Sequence, residues 1–266
     1  KTIQVITLLL DEKEKRDSQV SLIVCPASLV YNWENEIRIF APELKVRTVT
    51  GMAAEREEIL IQMTDYDVLI TSYDLLKRDI ELYKGKAFRF QIIDEAQYIK
   101  NASTQSAKAV KGIDAQSRFA LTGTPIENKL SELWSIFDYL MPGFLFSYQK
   151  FKKDYETPIV KTQEPAVLEK LHRLIGPFIL RRLKKDVLKE LPDKLETVVY
   201  SAFEKKQKDI YTANAFRLKK ELEQMEGKTG RDNIQILAEL TRLRQICCDP
   251  HLCYNDYSGE SAKLET

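Results

Sequence analysis

Two short groups of residues carry side chains of the types and spacing that could do chemistry. Asp94-Glu95-Ala96-Gln97 follows the apolar run Phe90-Gln91-Ile92-Ile93, and Leu121-Thr122-Gly123-Thr124-Pro125 follows Arg118-Phe119-Ala120. Adjacent residues at a strand tip diverge. One carboxylate, Asp94, can therefore enter the shell of a Mg²⁺ ion while the other, Glu95, aims a water. The Thr-Gly-Thr turn offers two hydroxyls, Thr122 and Thr124, that can sense a terminal phosphate. Taken singly, the first group could be a solvated strand end, and the second a turn with Gly for backbone freedom and Pro to stop the strand. Their occurrence together on neighbouring strands favours nucleoside-triphosphate chemistry.

A third candidate opens the chain. Lys1-Thr2 precedes an amphipathic pattern (Ile3, Ile6, Leu9, Leu10), as the end of a phosphate-binding loop precedes its helix, with Lys on the β/γ-phosphates and Thr on Mg²⁺. The same two residues could simply start a helix. The glycines whose N–H groups would form the anion nest do not precede Lys1, so the chain is expected to begin inside that loop. Gly227-Lys228-Thr229 spells the same tripeptide. There, however, Leu222 stands where the loop's first glycine belongs and a helical pattern precedes it, so a linker is expected.

The elements that must position these groups can be read from periodicity. Buried strands are expected at 21–25, 45–50, 66–71, 90–93 and 119–121. Helices are expected at 1–10, at 28–40 with Ser28 as N-cap, and at 52–64, with a polar loop at 11–19. Continuous apolar strands alternating with helices imply an α/β fold with a parallel sheet covered on both faces. Ligands of such sheets sit at the strands' C-terminal ends, where both acidic and hydroxyl groups lie. The second half is mostly helical: 128–141, 147–155, 165–175, 183–191, 204–226 and 233–247. A strand at 195–201 interrupts it, and 227–232 joins the last two helices.

Composition narrows the setting. With 266 residues, 44% of them hydrophobic, the chain can bury at least one sizeable core. No apolar stretch approaches the roughly 20 residues that span a bilayer, so no membrane partner is expected. A net charge of +1 leaves any nucleic-acid contact to local patches. Four cysteines suggest no disulfide scaffold and hence a reducing compartment. Cys247, Cys248, His251 and Cys253 lack the two-by-two spacing of structural zinc sites, so no zinc is expected. Basic residues gather at Arg181-Arg182-Leu183-Lys184-Lys185 and at Tyr148-Gln149-Lys150-Phe151-Lys152-Lys153. These could be solvated helix faces, but Arg181 and Arg182 are expected to meet DNA phosphates.

The chain resembles the Swi/Snf family of DNA-translocating ATPases, within helicase superfamily two. The resemblance is carried by Lys1-Thr2-Ile3-Gln4; Cys25-Pro26-Ala27-Ser28-Leu29-Val30-Tyr31-Asn32-Trp33; Thr71-Ser72-Tyr73-Asp74; Asp94 through Asn101; Leu121 through Trp134; Phe178 through Val187; Leu243 through Cys247; and Ser261 through Glu265. It implies a RecA-like first lobe of P-loop NTPase type (1–126), a helical protrusion with its return to that lobe (127–192), and the beginning of a second lobe with long helices (193–266). It implies ATP and Mg²⁺ as substrate and cofactor, and double-stranded DNA with a DNA-bound protein as partners. By resemblance, Lys1 and Thr2 bind the nucleotide, and Thr2 and Asp94 bind Mg²⁺. Glu95 is the general base, while Gln97, standing where His is common, couples nucleotide to DNA together with Thr122 and Thr124. Ser28, Thr71 and Ser72 touch the DNA backbone. With the glycine loop and a second-lobe arginine finger outside it, the chain alone is expected not to turn over ATP. A bacterial cytoplasm is the expected setting, or a nucleus if the source is eukaryotic. Two other readings remain: another superfamily-two motor, and a non-catalytic DNA- or protein-binding module.

Overall fold

The computed structural model describes residues 1–15, 19–123, 129–182, 195–224 and 230–265. They form two compact units, 1–181 and 182–266. The division falls at Arg181–Arg182, upstream of the boundary expected after 192.

The first unit is built on five strands, β1 (Ser21–Cys25), β2 (Val46–Thr48), β3 (Val68–Ser72), β4 (Ala87–Ile93) and β5 (Asp114–Ala120), all parallel and ordered β2-β3-β1-β4-β5. β1 is central because every one of its residues is buried. Its alternation serves two faces at once. Leu22 and Val24 join one core with Leu69, Phe88, Leu60, Leu76, Val110 and Tyr139. Ile23 and Cys25 join the other with Val5, Ile6, Leu9, Trp33, Ile37, Ile70 and Ile92. Consecutive apolar residues such as Leu22-Ile23-Val24 thus serve both faces at once, as a strand buried on both sides demands.

The helices of this unit are α1 (Thr2–Lys15), α2 (Val30–Phe40), α3 (Ala53–Ile61), α4 (Tyr73–Arg78), α5 (Gln105–Lys111), α6 (Leu130–Leu140), α7 (Tyr148–Phe151) and α8 (Pro165–Ile175). α1 runs on through what the sequence suggested was a polar loop. Lys15 pairs with Asp11 one turn back (2.6 Å), and Lys13 reaches Asp67 (2.7 Å) and the Glu43 carbonyl. Both lysines also suit the helix's negative C-terminal end. Ser28 is not the expected N-cap: it lies inside a 3₁₀ turn, Ala27–Leu29, and α2 starts at Val30 with no side-chain cap. α6 is apolar on two sides. Ile136 and Tyr139 pack on the sheet, whereas Leu133 and Phe137 join a separate helical core with Leu145, Phe151, Tyr155, Leu171 and Ile175. The helix expected over 147–155 is α-helical only through Phe151. It then widens into π-helical turns at Lys152–Glu156 and Pro158–Thr162. Pro158 has no N–H to donate and its ring crowds the preceding turn, which a wider turn relieves.

The second unit holds α9 (Lys205–Gln224) and α10 (Gly230–Cys248), antiparallel by their ties: Gln207 to the Ile246 carbonyl at 2.9 Å and Arg217 to Glu239 at 2.6 Å. A 3₁₀ turn, Pro250–Leu252, and α11 (Ala262–Glu265) follow. The strand expected at 195–201 does not form. The segment is irregular, with Leu195, Val198, Val199 and Tyr200 exposed. A strand needs a neighbour to take its N–H and C=O groups, and the second unit has no other strand among the described residues. The helix expected at 183–191 and the linker tripeptide at 227–229 lie outside the described residues.

Candidate functional site

The site sits at the C-terminal edge of the sheet. β4 and β5 end side by side, and their ladder continues past both ends. Leu121 N–H donates to the Ile93 carbonyl (2.8 Å), and Ala96 N–H to the Leu121 carbonyl (2.9 Å). The acidic and hydroxyl groups are therefore joined main chain to main chain.

Asp94 is held from several elements. Its N–H donates to the Val24 carbonyl on β1 (2.8 Å), and its carbonyl accepts from the Tyr73 hydroxyl at the tip of β3 (2.7 Å). Oδ1 accepts from Glu95 N–H (2.9 Å) and Oδ2 from the Trp33 indole on α2 (3.0 Å). Burial pushes the Tyr73 phenol's pKa well up, so Tyr73 remains a donor. Glu95 is left-handed (φ 52, ψ 56), a conformation rare for a residue with a side chain. Such strain is worth about 1–3 kcal/mol and persists only where surroundings enforce it. Here the enforcing bonds are those of Asp94 before it and Ala96 after it.

Glu95 then enters a relay. Its Oε2 accepts from the Gln97 amide nitrogen at 2.6 Å, and the Gln97 carbonyl accepts from the Thr122 hydroxyl at 3.1 Å. A carboxylate can only accept, so Gln97 must turn its NH₂ toward Glu95, which leaves its oxygen for Thr122. Asp94, Glu95, Gln97 and Thr122 are all half-buried, within reach of solvent. Thr124 lies outside the described residues.

α1 reaches the same edge. Glu12 pairs with Arg89 and Lys13 with Asp67, both at the opposite, N-terminal edge of the sheet. From Glu12 back to Thr2 the helix rises about 15 Å, against about 17 Å for a five-residue strand. Thr2, at the free end, therefore comes out level with the strand tips. Lys1 is exposed and Thr2 half-buried there.

Neither Asp94 nor Glu95 has a cationic partner among the described residues. Nor, among those residues, do three His, Cys, Asp or Glu side chains gather into an ion site of their own. This donor set fits Mg²⁺, which takes one or two protein oxygens and completes its shell with water and substrate phosphate.

The nucleic-acid candidates fare unevenly. Ser28 is exposed on the 3₁₀ turn at the tip of β1. Arg181 and Arg182 are exposed on the irregular segment after Phe178. Thr71 and Ser72 are buried: the Thr71 hydroxyl donates to the Val49 carbonyl (3.4 Å), and the Ser72 hydroxyl caps α4 by accepting from Leu75 N–H (3.3 Å). The Thr71 hydroxyl proton is thus taken up inside the fold, whereas the Ser72 oxygen accepts and its O–H can still donate. Trp33 and Tyr73 were quoted in the sequence without a role. Their partner, Asp94, is 61 and 21 residues away, a distance no short motif displays.

Cys25 lies against the same carboxylate. Burial, with the Asp94 charge adding to it, pushes its thiol from 9.0 up to about 12. Between these values the native state holds a proton that the unfolded chain has lost. The thiol's contribution to stability is complete below pH 9 and is lost as pH rises toward 12, by at most about 1.4 kcal/mol per pH unit. Cys25→Ala is expected to flatten that decline; urea unfolding at stepped pH from 8 to 11 measures it.

A family profile described as SNF2-related domain matches residues 1–252. The TATA-binding protein-associated factor MOT1 of Saccharomyces cerevisiae is 38% identical over 92% of this chain and 14% of its own. The putative ATP-dependent helicase/translocase YwqA of Bacillus subtilis is 37% identical over 100% of this chain and 30% of its own. The chain thus spans less than a third of either relative. Among solved structures, the Sulfolobus solfataricus SWI2/SNF2 ATPase core in complex with dsDNA superposes with a TM-score of 0.65 at 39% identity, covering 100% of this chain and 56% of that one. With its parallel sheet, paired motifs and these relatives taken together, the chain belongs to the SNF2-related domain family.

Proposed function

We propose that this chain supplies the nucleotide-binding half of a DNA-dependent ATPase that moves along duplex DNA. The observation that carries the proposal is the relay from Glu95 through Gln97 to Thr122, which links a carboxylate able to accept a water's proton to the tip of the neighbouring strand. Its likeness to a putative ATP-dependent helicase/translocase and to an ATPase core in complex with dsDNA supports it.

In this reading Lys1 contacts phosphate oxygens, and Thr2 and Asp94 hold the metal that accompanies the nucleotide. Bound there, Mg²⁺ neutralises charge on the phosphates. Glu95 orients the attacking water and takes its proton. Gln97 and Thr122 pass the loss of the terminal phosphate to β5, and Thr124 shares that coupling role. Ser28, Arg181 and Arg182 contact DNA phosphates, which positions the duplex without reading its sequence. At the tip of β3, Thr71 and Ser72 make the same contact through the Ser72 hydroxyl or main-chain N–H groups.

The test is ATP hydrolysis by the protein carrying this chain, with and without duplex DNA, alongside a strand-displacement assay. Duplex-stimulated hydrolysis without displacement is expected. Displacement would indicate another superfamily-two activity, and nucleotide binding without turnover a non-catalytic module. Thr122→Val removes one neutral hydrogen bond of the relay. It is expected to lower duplex stimulation roughly two- to ten-fold, with nucleotide affinity unchanged; the ratio of stimulated to basal rate measures it.

A further inference from the structure

We propose that Trp33 is a positioning residue: its indole N–H sets the direction in which the Asp94 carboxylate presents its oxygens to the metal. This rests on the reading of Asp94 as a metal ligand.

The main chain of Asp94 is fixed on both sides, by the Val24 carbonyl at 2.8 Å and the Tyr73 hydroxyl at 2.7 Å. Tyr73 is itself steadied by stacking on Tyr98, with ring centroids 4.9 Å apart and planes 6° from parallel. What remains free is rotation of the carboxylate. Glu95 N–H takes Oδ1 and Trp33 Nε1 takes Oδ2, one donor on each oxygen. Each oxygen keeps one lone pair in a defined direction. Without the indole, a single N–H on Oδ1 holds the group, and Oδ2 can swing.

A buried indole N–H must find some acceptor, and a nearby carbonyl would serve packing equally well. Trp33 is 2% exposed, wedged among Val5, Ile6 and Ile37. It spends its one donor on a carboxylate that has no cationic partner among the described residues. The bond is charge-assisted, of the stronger kind. A ring with two torsions, buried in an apolar core, fixes its donor far better than a lysine or glutamine would. Groups behind a metal ligand that orient it typically matter ten- to a hundred-fold for metal affinity.

The test uses the protein carrying this chain, with Mn²⁺ as the spin-active probe and ADP present. Trp33→Phe keeps an aromatic ring and deletes the donor. Mn²⁺ titration followed by electron paramagnetic resonance is expected to show roughly ten-fold weaker binding, with ADP affinity in the absence of metal unchanged. A second variant guards against collapse of the fold: 3-benzothienylalanine at position 33 has the indole's shape with sulfur in place of N–H, and the same weakening is expected. If Asp94→Asn loses Mn²⁺ while both Trp33 variants bind it as the unaltered protein does, Trp33 serves packing alone and the proposal falls. If Asp94→Asn also binds Mn²⁺ unchanged, it is the metal reading of Asp94 that falls instead.

Discussion

Glu95→Gln is expected to lower ATP hydrolysis about 10²- to 10⁴-fold, the range over which a positioned general base acts, while nucleotide affinity stays put. Glutamine has the length of glutamate, so its carbonyl oxygen can still accept from the Gln97 amide, which now sits 2.6 Å from Oε2. The left-handed backbone at this position is imposed by neighbouring bonds, not by the carboxylate, and the substitution leaves it alone. What is lost is the negative charge and the capacity to take a proton. Single-turnover hydrolysis with a parallel fluorescent-nucleotide titration separates the two effects. A rate within a few-fold of the unaltered protein would remove Glu95 from its proposed role.

Asp79→Ala is expected to destabilise the first unit by about 3–5 kcal/mol. Arg56 on α3 is 3% exposed at its side chain. It donates from Nε (2.5 Å) and Nη2 (2.8 Å) to the two oxygens of Asp79, which closes α4, and from Nη1 to the Gly51 carbonyl (2.6 Å). The hydrogen bonds to Asp79 hold the guanidinium's proton more tightly still, and arginine cannot escape burial by deprotonating. Removal of the aspartate strands a charge inside the protein. Exchange of both partners for apolar residues, Arg56→Met with Asp79→Leu, is expected to be close to neutral, since the pair's attraction only offsets its own desolvation. Urea unfolding of the single and double variants checks both statements. A single-variant loss under about 1 kcal/mol would show that water reaches Arg56.

The sheet was readable because its inner strands are buried on both faces, which forces apolar runs such as Leu22-Ile23-Val24 and Val68-Leu69-Ile70 into view. The acidic and hydroxyl groups were readable because each is contiguous. The bonds that orient them were not. Trp33 comes to Asp94 only through the packing of α2 on the sheet, and Gln97 finds Thr122 only because β4 and β5 are neighbours. At Thr71 and Ser72 the sequence shows a hydroxyl but not the Val49 carbonyl or the α4 amide that each one bonds. The segment 195–201 has a strand's composition, but pairing is a property of two segments, and composition describes one.

The main-chain ladder at Leu121 has a bearing on tempo. Because it bonds both to Ile93 and to Ala96, the two strand tips cannot slide past each other without breaking hydrogen bonds. A signal that needed such sliding would travel at the microsecond-to-millisecond pace of collective rearrangement. Rotation of the Gln97 amide or the Thr122 hydroxyl asks no such thing: it exchanges two side-chain hydrogen bonds and leaves the main-chain ladder intact. Under the proposed function, a change at Gln97 can therefore reach β5 without waiting for the slower collective rearrangement.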